Sequence, residues 1–482
     1  MQRSHGATHR GEQVPLGTVT QTGRFGRMFP QLKPFAADVA ALDALGAAMR
    51  EGQASATAGD NRNIAAGYTY LGQFVDHDIT FDTTALSETP IDPLAVHNFR
   101  TPKLELDSLY GLGPGGSPFQ YDRANPAKFL LGRTVTGRGD PAVPAGMPND
   151  LPRSPQGFAL IGDPRNDENL LVAQLHLAFL KFHNKVVDML AGQGVGGGAL
   201  FEEARRIVRW HYQWIVLHDF LDLLVDNNML HDVLTNGRRY YRFDPEPYIP
   251  VEFSVAAYRL GHSMVRQVYN HNRVFPDAAF NLLFLFTGLS GQIAGPGAQI
   301  ESLPSDWIID WRRFFDFQTA NTRAEEKFGL NFSRTLDPFL AAALHELPGG
   351  GGSLPARNLR RGVMMQLPSG QDVALAMDIE PLAPARVGDG PDGAVAKAHG
   401  FDRRTPLWYY VLKEAQVEGE GQRLGQLGSR LLSEVFVGLL EGDPESYLAQ
   451  NRLWKPTLPA AHAGDFTMTD LLNFVGELNP IG

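Results

Sequence analysis

Apolar residues recur at helical spacing along Asn169 to Leu190, Leu200 to Val225, Val251 to Val268, Asp337 to Leu344 and Gly425 to Leu440, and each stretch is predicted as a helix. A shorter run, Tyr68 to Ile79, sets Tyr68, Leu71, Phe74, Val75 and Ile79 at the same spacing, and another apolar run covers Pro406 to Leu412. From about residue 84 to 157 the periodicity fades into Pro, Gly and Asp, including Gly111-Leu112-Gly113-Pro114-Gly115-Gly116 and Pro141 to Pro155. Irregular stretches of that length inside a compact domain are uncommon and often functional. A Gly-rich hinge, Pro348 to Ser353, precedes Leu354-Pro355-Ala356-Arg357-Asn358. The pattern predicts a mainly α fold with long irregular connections and little β structure. Residues 1–30 read as a polar, Gly-rich extension and residues 31–482 as a single domain, without internal repeats or a break sharp enough to divide it.

Composition narrows the function. With 482 residues, 43% of them hydrophobic, the chain can bury a large core. A net charge of −10 with scattered arginines argues against nucleic acid as a partner. No apolar stretch reaches the roughly 18 residues of a membrane span, and Met1 to Gln13 lacks the apolar core of a secretory signal. A cytoplasmic or non-classically secreted protein is therefore expected. The sequence contains no cysteine, so any metal or cofactor must be held by His, Asp, Glu or backbone oxygen.

Four polar constellations interrupt the apolar pattern. In the Tyr68–Ile79 run, about 100° per residue places Gln73, Asp76 and His77 on one face and Asp78 on the other, so a single helix offers polar groups to two neighbours. Gly162-Asp163-Pro164-Arg165-Asn166-Asp167-Glu168 opens the long helix, with Asp163 and Pro164 as an N-cap and first-turn pair. Tyr258-Arg259-Leu260-Gly261-His262 sets a histidine beside a glycine, leaving room for a flat group to approach. In Thr101-Pro102-Lys103-Leu104-Glu105-Leu106-Asp107, the side chains of Thr101, Glu105 and Asp107 fall at even spacing and offer the oxygen ligands that suit a hard cation, with Asp78 as their natural partner. Each has an ordinary reading too: a capped helix end, a surface arginine, one of 14 histidines, a polar turn. His176 and His183, seven apart on the long helix, read as packing residues.

In this order and spacing the four segments resemble the animal-type haem peroxidases, the superfamily of myeloperoxidase and lactoperoxidase, which also has bacterial members. The resemblance runs from about Asn61 to the C-terminus, and Asp107-Ser108-Leu109-Tyr110-Gly111 and Leu354-Pro355-Ala356-Arg357-Asn358 share in it. It implies an animal haem peroxidase fold, with haem b between a distal and a proximal helix. It further implies His77 as the distal histidine, Gln73 beside the distal water and Arg165 as the catalytic arginine. His262 becomes the proximal iron ligand, with Arg259 near the cofactor and Asn358 accepting from the ligand's other ring nitrogen. Asp76 and Glu168 match the carboxylates that form ester bonds to haem methyl groups; Asp78, Thr101, Lys103 (through its carbonyl), Glu105 and Asp107 match a Ca²⁺ site.

The implied chemistry is reduction of hydrogen peroxide through a ferryl haem that then oxidises phenols, halides or thiocyanate, a role suited to oxidative stress. The chain departs from the family pattern at Asn169, where myeloperoxidase has a haem-linked methionine, and at Glu105 and Asp107, where mammalian members carry aspartate and serine. Cyclooxygenases and fatty-acid dioxygenases of the same superfamily use a tyrosine three residues before the proximal histidine. That position is Arg259 here, and Tyr258 is expected to point elsewhere on the helix. A rival from another class is a His-Asp metal phosphohydrolase built from His77, Asp78, His176 and His183, which leaves Arg165 and Asn358 without a role.

Overall fold

The computed structural model describes residues 25–52, 58–81, 98–288, 302–318, 328–347 and 351–482. Helices that frame the described residues include α1 (Val39–Ala48), α2 (Gly67–Ile79), α3 (Leu170–Gly192), α4 (Gly198–Ile215), α5 (Asn227–Asn236), α6 (Leu354–Met364), α7 (Leu407–Glu418), α8 (Gln426–Glu441) and α9 (Met468–Val475). The β structure among the described residues amounts to three two-stranded pairs, of which Asp60–Ala65 against Phe332–Arg334 is the longest. No described helix is long and apolar enough to cross a membrane.

The long helix α3 is the central post. Asn169 caps it by accepting from Val172 N at 3.1 Å, and α2, α4 and α9 pack against it. α2 in turn is apolar where it meets α3: Phe74 stacks on Phe179 with ring centroids 4.8 Å apart and meets Tyr212 of α4 edge-on. Its first residue must be glycine. Gly67 N donates to the Phe314 carbonyl at 2.8 Å, and a Cβ there would come within 2.4 Å of the Phe315 ring. A second close approach fixes the turn before α3, because a Cβ on Gly162 would lie 2.5 Å from the Ser108 carbonyl oxygen.

Several predicted elements take a different form. Leu200 to Val225 becomes α4, a wide turn at Val216–Phe220 and a final turn at Leu221–Leu224. Val251 to Val268 is not a regular helix: a wide turn at Glu252–Ala256 runs into a tight one at Ala257–His262, and Val268–Tyr269 is a strand. Arg259 Nε takes the Ser254 carbonyl at 3.2 Å, diverting it from a helical ladder. Asp337 to Leu344 is not helical apart from a 3₁₀ turn at Ala342–His345, since Leu340 pairs with the backbone around Arg50. Asp163 caps the short turn Pro164–Asp167 rather than α3. Gly113–Gly116 forms one helical turn inside the irregular region, of which residues 82–97 lie outside the described residues.

The boundary at residue 30 also shifts. Residues 1–24 lie outside the described residues, but Phe25 pairs with Ile249, and Phe25, Met28 and Phe29 are buried. The backbone amides of Met28 and Phe29 donate to Glu252, so this stretch belongs to the core. Of the predicted hinge, residues 348–350 likewise lie outside the described residues.

Replacing Gly67 by alanine should overpack the junction of α2 with Phe314 and Phe315 and cost about 1–3 kcal/mol, read as a lower denaturation midpoint in urea. An unchanged midpoint would mean that the junction yields freely.

Candidate active site

Three of the four segments, joined by α6, converge on one cavity of about 740 Å³, a size typical of cofactor and ligand sites; Thr101 to Asp107 lies outside its lining. α2 supplies Gln73, Asp76 and His77 to its lining, the turn before α3 supplies Arg165 and Glu168, the irregular stretch after Val251 supplies Arg259 and His262, and α6 supplies Asn358. Residues nearly 300 positions apart thus line one space.

On the α2 side, His77 is buried and its imidazole is pushed down to about 3 by burial, then by the nearby Arg165 guanidinium. It is therefore a neutral base at ordinary pH. Its Nδ1 lies 2.8 Å from Asn166 Oδ1, so Nε2 is the ring nitrogen left for the cavity. Arg165 Nη2 donates to the His77 carbonyl at 2.9 Å, and its guanidinium lies 3.8 Å from the Phe81 ring centroid, a cation–π contact. The same guanidinium forks onto Asp163, with Nε 3.1 Å from Oδ1 and Nη2 2.8 Å from Oδ2. Asp163 is fully buried; against the cost of burial, Arg100 and Arg165 hold its carboxyl well below the usual range. Gln73 donates to Glu168 and accepts from Asn169 Nδ2 at 3.0 Å. Burial pushes the Glu168 carboxyl up to about 7, partly opposed by Arg165, and also raises Asp76, whose carboxylate accepts from Thr80 Oγ1 at 2.9 Å.

Across the cavity, burial and then Arg259 push His262 down to about 3, which keeps it a neutral imidazole of the kind that ligates iron. Space beside it is open: a Cβ on Gly261 would meet nothing within 4 Å. Asn358 does reach His262 Nδ1, at 2.8 Å, but through Nδ2, while its Oδ1 accepts from Arg259 Nη1 at 2.7 Å. The expected polarity is thus reversed. An Nδ1 that accepts puts the ring proton on Nε2, so ligation through Nε2 requires the amide to turn over and release Arg259. The cavity's size, the open approach at Gly261 and the neutral imidazole fit a haem group.

The oxygen-rich loop is arranged differently from its expectation. Asp78 does point away from His77, and its carboxylate accepts from Leu106 N at 3.0 Å, Tyr212 Oη at 3.2 Å and Ser108 Oγ at 3.3 Å. Thr101 donates to Glu105, Lys103 Nζ lies 3.6 Å from Asp443, and Asp107 faces the Arg100 guanidinium at 3.4 Å. Among the described residues no three acidic or imidazole side chains gather as a cation cage. Arg100 is the local counter-charge, and Asp107 Oδ1 is buried without a hydrogen-bond partner.

Asn166, Asp163 and Arg100 were not singled out as site residues by the sequence, and His176 entered only through the phosphohydrolase alternative; the contacts of Asn166 with His77 and of Arg100 with Asp163 join separate segments. His176 lies 3.0 Å from Asn166 Nδ2. His183 is a packing residue: it bonds Tyr110 Oη and the Ala127 carbonyl and stacks among Phe129 and Phe201. With Asp78 turned from His77 and His183 held there, the phosphohydrolase cluster does not assemble. Tyr258, expected to point elsewhere, lines the cavity because its segment is not a regular helix; its hydroxyl donates to the Gly72 carbonyl at 3.1 Å.

Residues 131–281 match the family model for animal haem peroxidase. Among curated proteins, peroxidasin of Drosophila melanogaster is 24% identical over 290 residues, which is 58% of this chain and 18% of that protein. A peroxidase-like protein of Margaritifera margaritifera is 28% identical over 281 residues, covering 46% of this chain and 34% of that one. The chain thus spans about a third or less of the length of these relatives. Among solved structures, peroxidase A from Dictyostelium discoideum matches with a TM-score of 0.59 and 14% identity, over 94% of this chain and 91% of that one. The fatty acid alpha-dioxygenase of Oryza sativa matches with a TM-score of 0.54 and 12% identity, over 99% of this chain and 78% of that one. These likenesses establish a shared fold.

The Glu168 carboxyl generates a pH dependence. Its folded value near 7 lies above the ordinary 4.5, so the native state holds this proton longer than the unfolded chain, and the stability it contributes at low pH is lost as pH rises from about 4.5 to about 7. In the haem-free protein, Glu168→Gln should show a smaller fall in urea midpoint between about pH 5 and about pH 7.5 than wild type. Parallel falls would show that Glu168 ionises normally.

Proposed function

We propose that this chain, a member of the animal-type haem peroxidase superfamily, is a haem b peroxidase that reduces hydrogen peroxide and oxidises small donors such as phenols, halides or thiocyanate. One observation carries the reading: a single cavity is lined by two neutral histidines from separate elements, with an arginine beside one of them. A haem bound there would supply the iron that receives peroxide and stores its two oxidising equivalents.

The protein's own residues divide the remaining work. His262 would hold the iron through Nε2 once Asn358 accepts from Nδ1. Asp76 and Glu168, carboxyls in the cavity lining that burial raises, would be the groups to form ester bonds to a bound porphyrin. His77 Nε2 accepts the proton of incoming peroxide and returns it to the oxygen that leaves as water, acting as base and then acid. The Arg165 guanidinium stabilises the negative charge that develops on the departing oxygen. Its fork onto Asp163 and its bond to the His77 carbonyl fix it beside the base.

A second reading, lipid oxygenation, draws on Tyr258 in the cavity wall and on the fold shared with the plant fatty acid alpha-dioxygenase. Arg259 three residues before His262 and the hydroxyl contact of Tyr258 to Gly72 favour the peroxidase.

Haem-loaded His77→Ala should retain the cofactor yet react with peroxide roughly 10²- to 10⁴-fold more slowly in stopped-flow absorbance. A variant that reacts as fast as wild type would remove His77 from the chemistry. In a parallel survey, turnover of a phenolic donor and not of a fatty acid is the expected outcome; the reverse would favour the oxygenase.

A further inference from the structure

Behind His77 stand two side chains, Asn166 and His176, that the peroxide chemistry above does not use. His77 Nδ1 lies 2.8 Å from Asn166 Oδ1, and Asn166 Nδ2 lies 3.0 Å from His176 Nδ1. His77 is 5% exposed, and Asn166 and His176 are 0% exposed. A neutral imidazole carries one ring proton, and an amide has a donor end and an acceptor end, so just two proton arrangements satisfy both contacts. In the first, His77 carries its proton on Nδ1 and donates to Asn166 Oδ1, while Asn166 donates to His176 Nδ1 and the proton of His176 sits on Nε2. In the second the amide is turned over and both histidines change tautomer, which protonates His77 at Nε2. The tautomer of a cavity histidine is thereby tied to that of a histidine that does not line the cavity.

Two observations select the first arrangement. The Arg165 guanidinium stands beside His77, and a lone pair on Nε2 suits a neighbouring cation better than an N–H does. The amide itself stands as in the first arrangement, with Oδ1 toward His77 Nδ1 and Nδ2 toward His176 Nδ1, and His176 Nε2 is buried without a hydrogen-bond partner.

We propose that Asn166 and His176 are positioning residues that hold His77 in the tautomer with Nε2 unprotonated, the form able to accept the first proton of peroxide. The tautomer claim stands on the contacts alone, and its link to rate rests on the peroxidase reading above. Locking a catalytic imidazole in the wrong tautomer costs about 10⁴-fold in serine proteases, so the leverage is large.

The test uses the full chain with ¹⁵N in its histidine rings, read haem-free by long-range ¹⁵N–¹H correlation, with the His77 signals assigned by their loss in His77→Ala. Wild type should show His77 protonated at Nδ1. Asn166→Leu should shift it toward the Nε2–H form, and Asn166→Asp, whose carboxylate still accepts from Nδ1, should restore it. In the haem-loaded protein, Asn166→Leu should slow the peroxide reaction by at least about 30-fold at unchanged KM for the reducing donor, with Asn166→Asp within about 3-fold of wild type. If Asn166→Leu does not fold, His176→Phe, which frees the amide to turn, should give mixed tautomers. Wild-type His77 protonated at Nε2, a leucine or phenylalanine variant with an unchanged tautomer, or an aspartate variant as slow as the leucine one would overturn the proposal. A tautomer shift in a protein that takes up no haem would leave the positioning role standing and sink the peroxidase reading.

Discussion

A helix buried on nearly every side cannot leave a polar side chain unmatched, and α2 carries Gln73, Asp76, His77 and Asp78 in half of its length. An unpaired buried polar group costs on the order of 1–3 kcal/mol, so each of the four has to be met by a group from elsewhere in the chain. Glu168 and Asn169 meet Gln73, Thr80 meets Asp76, Asn166 meets His77, and Leu106, Ser108 and Tyr212 meet Asp78. The turn before α3 and the loop after Asn98 are placed by these debts of α2, and the cavity is the space they leave.

Charge is handled by the same logic. Asp163 is buried with two guanidiniums around it, Arg100 and Arg165. One carboxylate therefore anchors the arginine beside His77 and ties it to the loop that holds Asp107. Removing Asp163 would leave both guanidiniums without their shared buried carboxylate, which is strongly destabilising. The position of Arg165 is accordingly a consequence of burial as much as of catalysis.

Much of this was legible in the sequence where spacing alone decides. The split of α2 into a Gln73–Asp76–His77 face and an Asp78 face follows from helical geometry, and α3 and α8 follow from their apolar period. Spacing failed where non-local pairing overrides it: Leu340 is drawn into contact with the backbone around Arg50, and Arg259 takes the Ser254 carbonyl, so two predicted helices open. The same departure from a regular helix carries Tyr258 into the cavity wall. Arg100 illustrates the other blind spot, since nothing local to Phe99-Arg100-Thr101 reveals a guanidinium lodged against Asp107 and Asp163. The oxygen pattern was visible, its counter-charge was not.

The central claim is that the cavity between α2 and the Ala257–His262 turn holds haem through His262. Titrating the full chain with hemin, followed by Soret absorbance and electron paramagnetic resonance, tests it most directly. The account predicts saturation at one haem per chain with a histidine-ligated iron signal that His262→Ala loses. Hemin uptake with the same stoichiometry, affinity and spectrum in His262→Ala would contradict it.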